Sequence, residues 1–283
     1  MTIPIDPVLV SFGSLAVRWY GLLALAGLGL SVWLSLRELR RQQLGSRLAL
    51  DGLAWALPIG LVGARLVHVL GYWDYYLTNQ SALWQLNLDG LSLWGGLAAG
   101  GVIFAARLSR GGSMRRRRIL DAVAPCALLG IAVGRMGEFI DGQGQGLPSN
   151  LPWATQYASP LAASPDFGVG RHPVQLYDGV VAVGLFAAIA LAPRRLPPGM
   201  RLAAVLVGYG AARVAMGGLR LDPAFAFGLQ IEQLLAFGAI ATGIVIGVRP
   251  LIMRTAPGHV AEDAAGGAAV AQTSPGQGNS LAA

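Results

Sequence analysis

The chain predicts an all-α integral membrane protein of about seven transmembrane helices. Composition is the first reason. Of 283 residues, 54% are hydrophobic and 12% charged, with a mean hydropathy of +0.55, more apolar surface than one soluble core of this length can hide. Recurrent apolar runs are the second, at 15–36, 50–72, 91–108, 122–140, 174–192, 202–219 and 228–248. Each approaches the ~20 residues that a bilayer core requires. The third is charge placement, because the arginines gather after alternate runs.

The runs differ in content. The first has no basic segment before it and no small-residue cleavage site, so it is read as a retained span and not a signal peptide. The second carries Arg65 and His68, and the third carries the pairs Gly95-Gly96 and Gly100-Gly101, small residues that let helices approach. The fourth ends on Gly134-Arg135-Met136-Gly137-Glu138-Phe139-Ile140-Asp141, charge at the edge of a membrane segment. Arg171-His172-Pro173 precedes the fifth, where proline suits a helix start and the histidine suits a capping or headgroup contact. Arg213 lies within the sixth, and Arg249 and Arg254 follow the seventh.

Arg37, Arg40, Arg41 and Arg47 follow the first run, Arg107, Arg110 and 115–118 surround the gap after the third, and Arg194, Arg195 and Arg201 follow the fifth. The opposite loops hold few arginines, which puts the N-terminus outside and the C-terminus in the cytoplasm. The formal charge of +7 is therefore topological. No basic stripe interleaved with aromatic residues points to nucleic acid. The Arg115–Arg118 run reads as an anchor near anionic lipid, and Tyr72-Trp73-Asp74-Tyr75-Tyr76 reads as an interfacial belt. The single cysteine, Cys126, reads as a buried packing residue. With three histidines and no cysteine pair, nothing has metal-ligand spacing. Residues 1–254 form one membrane domain, and the Ala/Gly/Ser-rich residues 255–283 form a disordered cytoplasmic tail.

The arginines inside the runs carry the chemistry. An unpaired guanidinium in hydrocarbon costs at least about 2.5 to 3.5 kcal/mol, so Arg18, Arg65, Arg135 and Arg213 each require a partner, water or a bound anion. Asp51, Glu138, Asp141, Asp178 and Glu232 are the candidate protein partners. Convergent guanidinium forks match a lipid phosphate, and a purely structural ion-pair network is the alternative. Arg18 and Arg65 suit the structural role better than Arg135 and Arg213.

Several motifs appear in order: Asp6-Pro7, Trp19-Tyr20-Gly21, Gly63-Ala64-Arg65, Gly95-Gly96-Leu97, Gly134 to Gly146, Arg171-His172-Pro173 with Gln175-Leu176-Tyr177, and Gly208-Tyr209-Gly210-Ala211 leading to Arg213. Together they resemble the bacterial prolipoprotein diacylglyceryl transferases from about residue 3 to residue 250. The family signature usually reads Gly-Arg-x-Gly-Asn-Phe-x-Asn-x-Glu-x-x-Gly. Here Glu138, Asp141 and Gln143 stand for its Asn, Asn and Glu, Trp94 stands for the histidine of His-Gly-Gly, and Gly217 stands for a glutamate.

The resemblance implies seven spans in the bacterial inner membrane and a cavity open outward and sideways to lipid. It implies transfer of the diacylglyceryl group of phosphatidylglycerol to the lipobox cysteine of a preprolipoprotein, without a cofactor. Arg135 and Arg213 would clamp the phosphate, and Tyr20 and Tyr209 would orient headgroup or thiol. Arg65, Asp141, His172, Gly95 and Gly96 would contribute to substrate binding, and Gly146 would let backbone approach substrate. The segment 141–173 would form part of a small outer, periplasmic-side head region over the cavity, where a peptide docks. Two readings follow. In one, Glu138 or Asp141 takes over proton transfer, since indole cannot accept the thiol proton. In the other, a diverged paralogue keeps the lipid cavity and acts on another acceptor or only binds lipid.

Overall fold

The computed structural model describes residues 1–12, 15–84, 90–164, 166–193 and 196–255. The expected tail beyond Thr255, and the loop residues Arg194 and Arg195, lie outside the described residues. One short strand, β1 (Thr2–Ile3), opens the chain before a hairpin in which β2 (Val8–Phe12) pairs antiparallel with β3 (Leu15–Arg18). Eight α-helices follow among the described residues. They are α1 (Trp19–Arg41), α2 (Arg47–Gly71), the short α3 (Trp73–Thr78), α4 (Leu93–Leu108), α5 (Ser113–Asp141), α6 (Val174–Leu191), α7 (Met200–Gly217) and α8 (Ile231–Thr255). Strand β4 (Gln156–Tyr157) lies between α5 and α6 and pairs parallel with β1.

Each of the seven apolar runs corresponds to one long helix. Five, namely α1, α2, α5, α6 and α8, are long and apolar enough to cross a membrane. Helix α4 has only 16 residues, and α7 is diluted by Arg201, Arg213 and its glycines. The side chains are arranged inside out for water. Leu25 and Val62 are each 68% exposed and Leu191 86%, while Arg135 is 5% and Arg213 2% exposed. Apolar surface outward with guanidinium inward is the arrangement that lipid selects.

Two boundaries differ from expectation. Residues 15–18, expected at the start of the first span, form β3, because the hairpin with β2 takes up their backbone groups. Helix α5 starts at Ser113, so Arg115 to Arg118 form its first turns and not a loop. Arginine is a good helix former and its stem can reach past apolar neighbours to water.

Helix α1 lies along α5, α2 along α4, and α7 along α8, while α5 also packs on α6 and α7. Thus α1 and α2, joined by a turn in which Gln43 and Gly45 take positive φ, pack on different partners. An apolar groove of about 520 Å³ runs between the two pairs. Within the α2–α4 pair the helices are close because glycine permits it: a Cβ on Gly95 would stand 2.5 Å from the Gly63 carbonyl oxygen and 2.6 Å from Val67 Cβ. Gly95→Ala is therefore expected to lower stability by roughly 1–3 kcal/mol, the usual cost of overpacking. Gly29, whose added Cβ would meet nothing within 4 Å, is the control. Thermal unfolding of both alanine variants in detergent checks this, and equal melting temperatures would contradict it.

The chain between α5 and α6 folds back with β1 over the end of the helices. The Met1 amino group donates to Ala154 O at 2.6 Å, and the Tyr157 hydroxyl donates to Phe139 O. Ile3, Tyr157 and Ala162 form a small buried cluster against Phe139. Burial and then the nearby Asp141 carboxylate push the Tyr157 hydroxyl well above its ordinary pKa, so it remains a donor. This unit roofs one end of α5 and positions the site below it.

Candidate functional site

Helix α5 ends where Gly142 adopts a left-handed conformation (φ 82°) and returns its N–H toward Glu138 O, a turn that glycine makes without steric cost. That turn carries Gln143 and Gly144 back over a polar cavity of about 290 Å³. The cavity takes Tyr20 from α1, His68 from α2, Arg135 and Glu138 from α5, Glu232 from α8, and Arg220 and Asp222 from the connection between α7 and α8. Tyr20, Leu91 to Leu93, Arg135 and Glu138 also line the apolar groove. Polar chamber and apolar groove thus share one wall.

Arg135 is the hub of that wall. Its Nη1 donates to Glu138 Oε2 at 2.5 Å, a partner three residues on and hence on the same helix face. Its Nε lies 2.6 Å from Asp178 Oδ2 on α6, in ion-pair contact though out of line for a hydrogen bond. Asp178 also accepts from the Tyr209 hydroxyl at 3.2 Å. Tyr209 in turn stacks on Trp94, with ring centroids 5.4 Å apart and planes 7° off parallel. Trp94 and Tyr209 are buried and line neither cavity.

Arg213 organises the second cluster. It donates through Nε and Nη2 to Glu232 Oε2 at 3.1 and 2.8 Å, and through Nη2 to Gln230 Oε1 at 3.0 Å and Asp222 Oδ2 at 3.2 Å. Glu232 Oε1 accepts from Ser92 Oγ at 2.7 Å, and that hydroxyl also caps α4 by accepting from Gly95 N. Arg213 Nη1 is buried with no partner among the described residues. Arg220 donates to Asp222 at 2.6 Å. Burial pushes the Asp222 carboxyl up, but Arg220, Arg213 and the Tyr72 hydroxyl outweigh it and hold the group below its ordinary pKa. Asp222 is therefore an anion that fixes the arginines.

The structure brings together Tyr20, Arg135 and Glu138 around the chamber, with Arg213 directly behind it. It sets the other expected site residues elsewhere. The Arg65 guanidinium donates to the carbonyls of Gly90, Ala82 and Leu83 and lies over the Tyr76 ring. Asp141 is fully buried against Arg18 at 2.7 Å and Gln143 at 2.5 Å. Gly146 packs between Leu219, Val174 and His172, and His172 contacts the Tyr177 hydroxyl through Nδ1 at 3.3 Å. Gly95 serves the α2–α4 contact, while Gly96 lines the groove. Ser92, Arg220 and Asp222 were not among the expected site residues. Arg220 and Asp222 follow the sixth run in a loop without periodicity, and nothing in their spacing ties them to Arg135.

Fold and site together define a multi-pass helical membrane protein whose buried, charged chamber opens onto an apolar groove. Comparison with known proteins gives the family. The model of the prolipoprotein diacylglyceryl transferase family matches residues 7–249. Similar proteins named phosphatidylglycerol–prolipoprotein diacylglyceryl transferase occur in Finegoldia magna (30% identical over 246 residues, 86% of this chain and 95% of the relative) and Dehalococcoides mccartyi (32% over 244 residues, 86% and 92%). A third, in Streptococcus uberis, is 31% identical over 245 residues, 85% of this chain and 93% of the relative. The chain belongs to the prolipoprotein diacylglyceryl transferase family, which makes it a transferase of lipoprotein biosynthesis.

Proposed function

We propose that the chain transfers the diacylglyceryl group of phosphatidylglycerol to the thiol of a preprolipoprotein lipobox cysteine. The observation that carries this reading is the shared wall of chamber and groove at Tyr20, Arg135 and Glu138. A phospholipid has the same division, an anionic head and two apolar chains. With chains in the groove, the phosphate comes to the chamber beside Arg135. The thiolate sulfur then attacks the glycerol carbon bearing the phosphate ester, the C–O bond breaks, and glycerol 1-phosphate leaves with the electron pair. A guanidinium aimed at the developing phosphate dianion lowers that barrier. Arg213 and its partnerless Nη1 stand behind the same cluster and complete the clamp.

In this reading all seven long helices span the bacterial cytoplasmic membrane, the N-terminus is outside, and the unit containing β1 and β4 is the outer head where the peptide docks. A reporter inserted near Asn79 is then exported, and one fused after Arg254 stays in the cytoplasm. Finding Asn79 on the cytoplasmic side would reverse the orientation.

The direct test is to express the chain in a bacterium depleted of its own diacylglyceryl transferase and weigh its prolipoproteins. A mass increase matching one diacylglyceryl group is expected. Phosphatidylglycerol binding without any such modification would favour the diverged, lipid-binding paralogue.

A further inference from the structure

The transfer needs a proton acceptor as well as a phosphate clamp, because a cysteine thiol with pKa near about 8.5 is mostly protonated at neutral pH. Every carboxylate of the polar chamber is already committed to a cation. Glu138 is held by Arg135 at 2.5 Å, Glu232 by Arg213 at 2.8 Å, and Asp222 by Arg220 at 2.6 Å. Each already serves as the counter-ion of a guanidinium. Asp141 is fully buried against Arg18 and lines neither cavity.

His68 differs from all of these. It lines the chamber from α2, and among the described residues no hydrogen bond or ion pair is found at its ring nitrogens. Its ring is held in place instead by stacking on Tyr72, with centroids 4.8 Å apart and planes 27° off parallel, and by an edge contact with Tyr76 at 6.0 Å. Aromatic packing fixes the plane of an imidazole without consuming its lone pair. The groups facing it are Arg65 of its own helix, Tyr72 just beyond that helix's end, Tyr76 of α3, and Glu232 of α8. Across the chamber are Tyr20, Arg135, Glu138, Arg220 and Asp222. Imidazole is the side chain whose ordinary titration lies closest to neutral pH.

We infer that His68 accepts the thiol proton in the transfer reaction. The inference rests on the proposed transfer, and it names the base which that reading leaves open. The thiol S–H bond breaks, its proton passes to the free imidazole nitrogen, and the resulting thiolate forms the S–C bond while the phosphate leaves on the arginine side. The imidazolium then returns its proton to water in the chamber. Glu138 and Glu232 have positioning parts, since they hold the arginines.

The test is turnover of the full chain in nanodiscs containing phosphatidylglycerol, with a lipobox peptide as acceptor, across pH 6 to 9. His68→Gln should lower kcat at neutral pH by roughly 10²-fold, the usual worth of a general base, with KM for both substrates changed little. The deficit should shrink as pH rises toward the ionisation of the thiol itself, where no base is needed. His68→Ala should regain turnover on addition of imidazole. A deficit of the same size at every pH, unaffected by imidazole, would mean that His68 only packs the chamber and would overturn the assignment. So would a kcat within twofold of wild type. Wild-type chain that binds phosphatidylglycerol but transfers nothing would remove the proposed reaction and this step with it. Wild-type transfer alongside pH-independent variants would remove this step alone.

Discussion

Arg135→Ala is expected to lower diacylglyceryl transfer by roughly 10²-fold or more, the usual effect of deleting a group aimed at transition-state charge. The change also has a structural side. Arg135 is 6% exposed at its side chain and neutralises Asp178 and Glu138, themselves 4% and 15% exposed. Removing one partner of a buried ion pair costs about 3–5 kcal/mol, because the other charge stays behind. Membrane abundance must therefore be read beside turnover. Arg135→Met with Asp178→Asn removes the charge and most of the uncompensated burial together, so abundance should recover while transfer stays low. Arg135→Lys should rescue poorly, since one ammonium cannot reach Asp178 and Glu138 from two edges as a guanidinium does. Turnover at the wild-type level in Arg135→Ala, measured by mass shift of the acceptor peptide, would eliminate the phosphate contact.

Hydropathy made the helices legible, because apolar runs need the same length whatever they pack against. The helix ends were less legible. Arg115 to Arg118 look like a loop by charge, yet they continue α5, and residues 15–18 look apolar enough for a span, yet they pair with β2. Local composition does not report which backbone partner wins. In the site, Arg135 and Glu138 lie on one helix face, and the i,i+3 spacing places them together before any tertiary contact forms. The link from Arg135 to Asp178, and from Arg213 to Glu232 and Asp222, depends on how α5, α6, α7 and α8 pack. No periodicity within one helix encodes that. The roles of Arg65 and Gly146 were obscured for the same reason: only the fold reveals that carbonyls of 82, 83 and 90 surround the first and that Leu219 and Val174 crowd the second.

Arg213→Ala is expected to abolish transfer by a different route from Arg135→Ala. Arg213 lines neither cavity, yet its Nη2 alone reaches Glu232, Gln230 and Asp222. Its loss takes from the carboxylates of Glu232 and Asp222 the one guanidinium that contacts both, leaving Arg220 at Asp222 alone. Like charges held close in a poorly solvated site repel strongly, so the α7–α8 connection should open and become the first site of limited proteolysis. Arg213→Leu with Glu232→Gln separates scaffold from clamp. The pair removes one positive and one negative charge, keeps a hydrogen-bond acceptor for the Ser92 hydroxyl, and should restore protease resistance. If Arg213 serves only to hold its neighbours, turnover returns with the fold. The buried Nη1 without a partner argues that it also meets the substrate phosphate, and a lost charge-assisted hydrogen bond is not replaced by leucine. The expected result is a protease-resistant double variant whose transfer stays at least about 10²-fold below wild type. Recovery of turnover in that variant would take Arg213 out of the phosphate contact and leave Arg135 as the clamp.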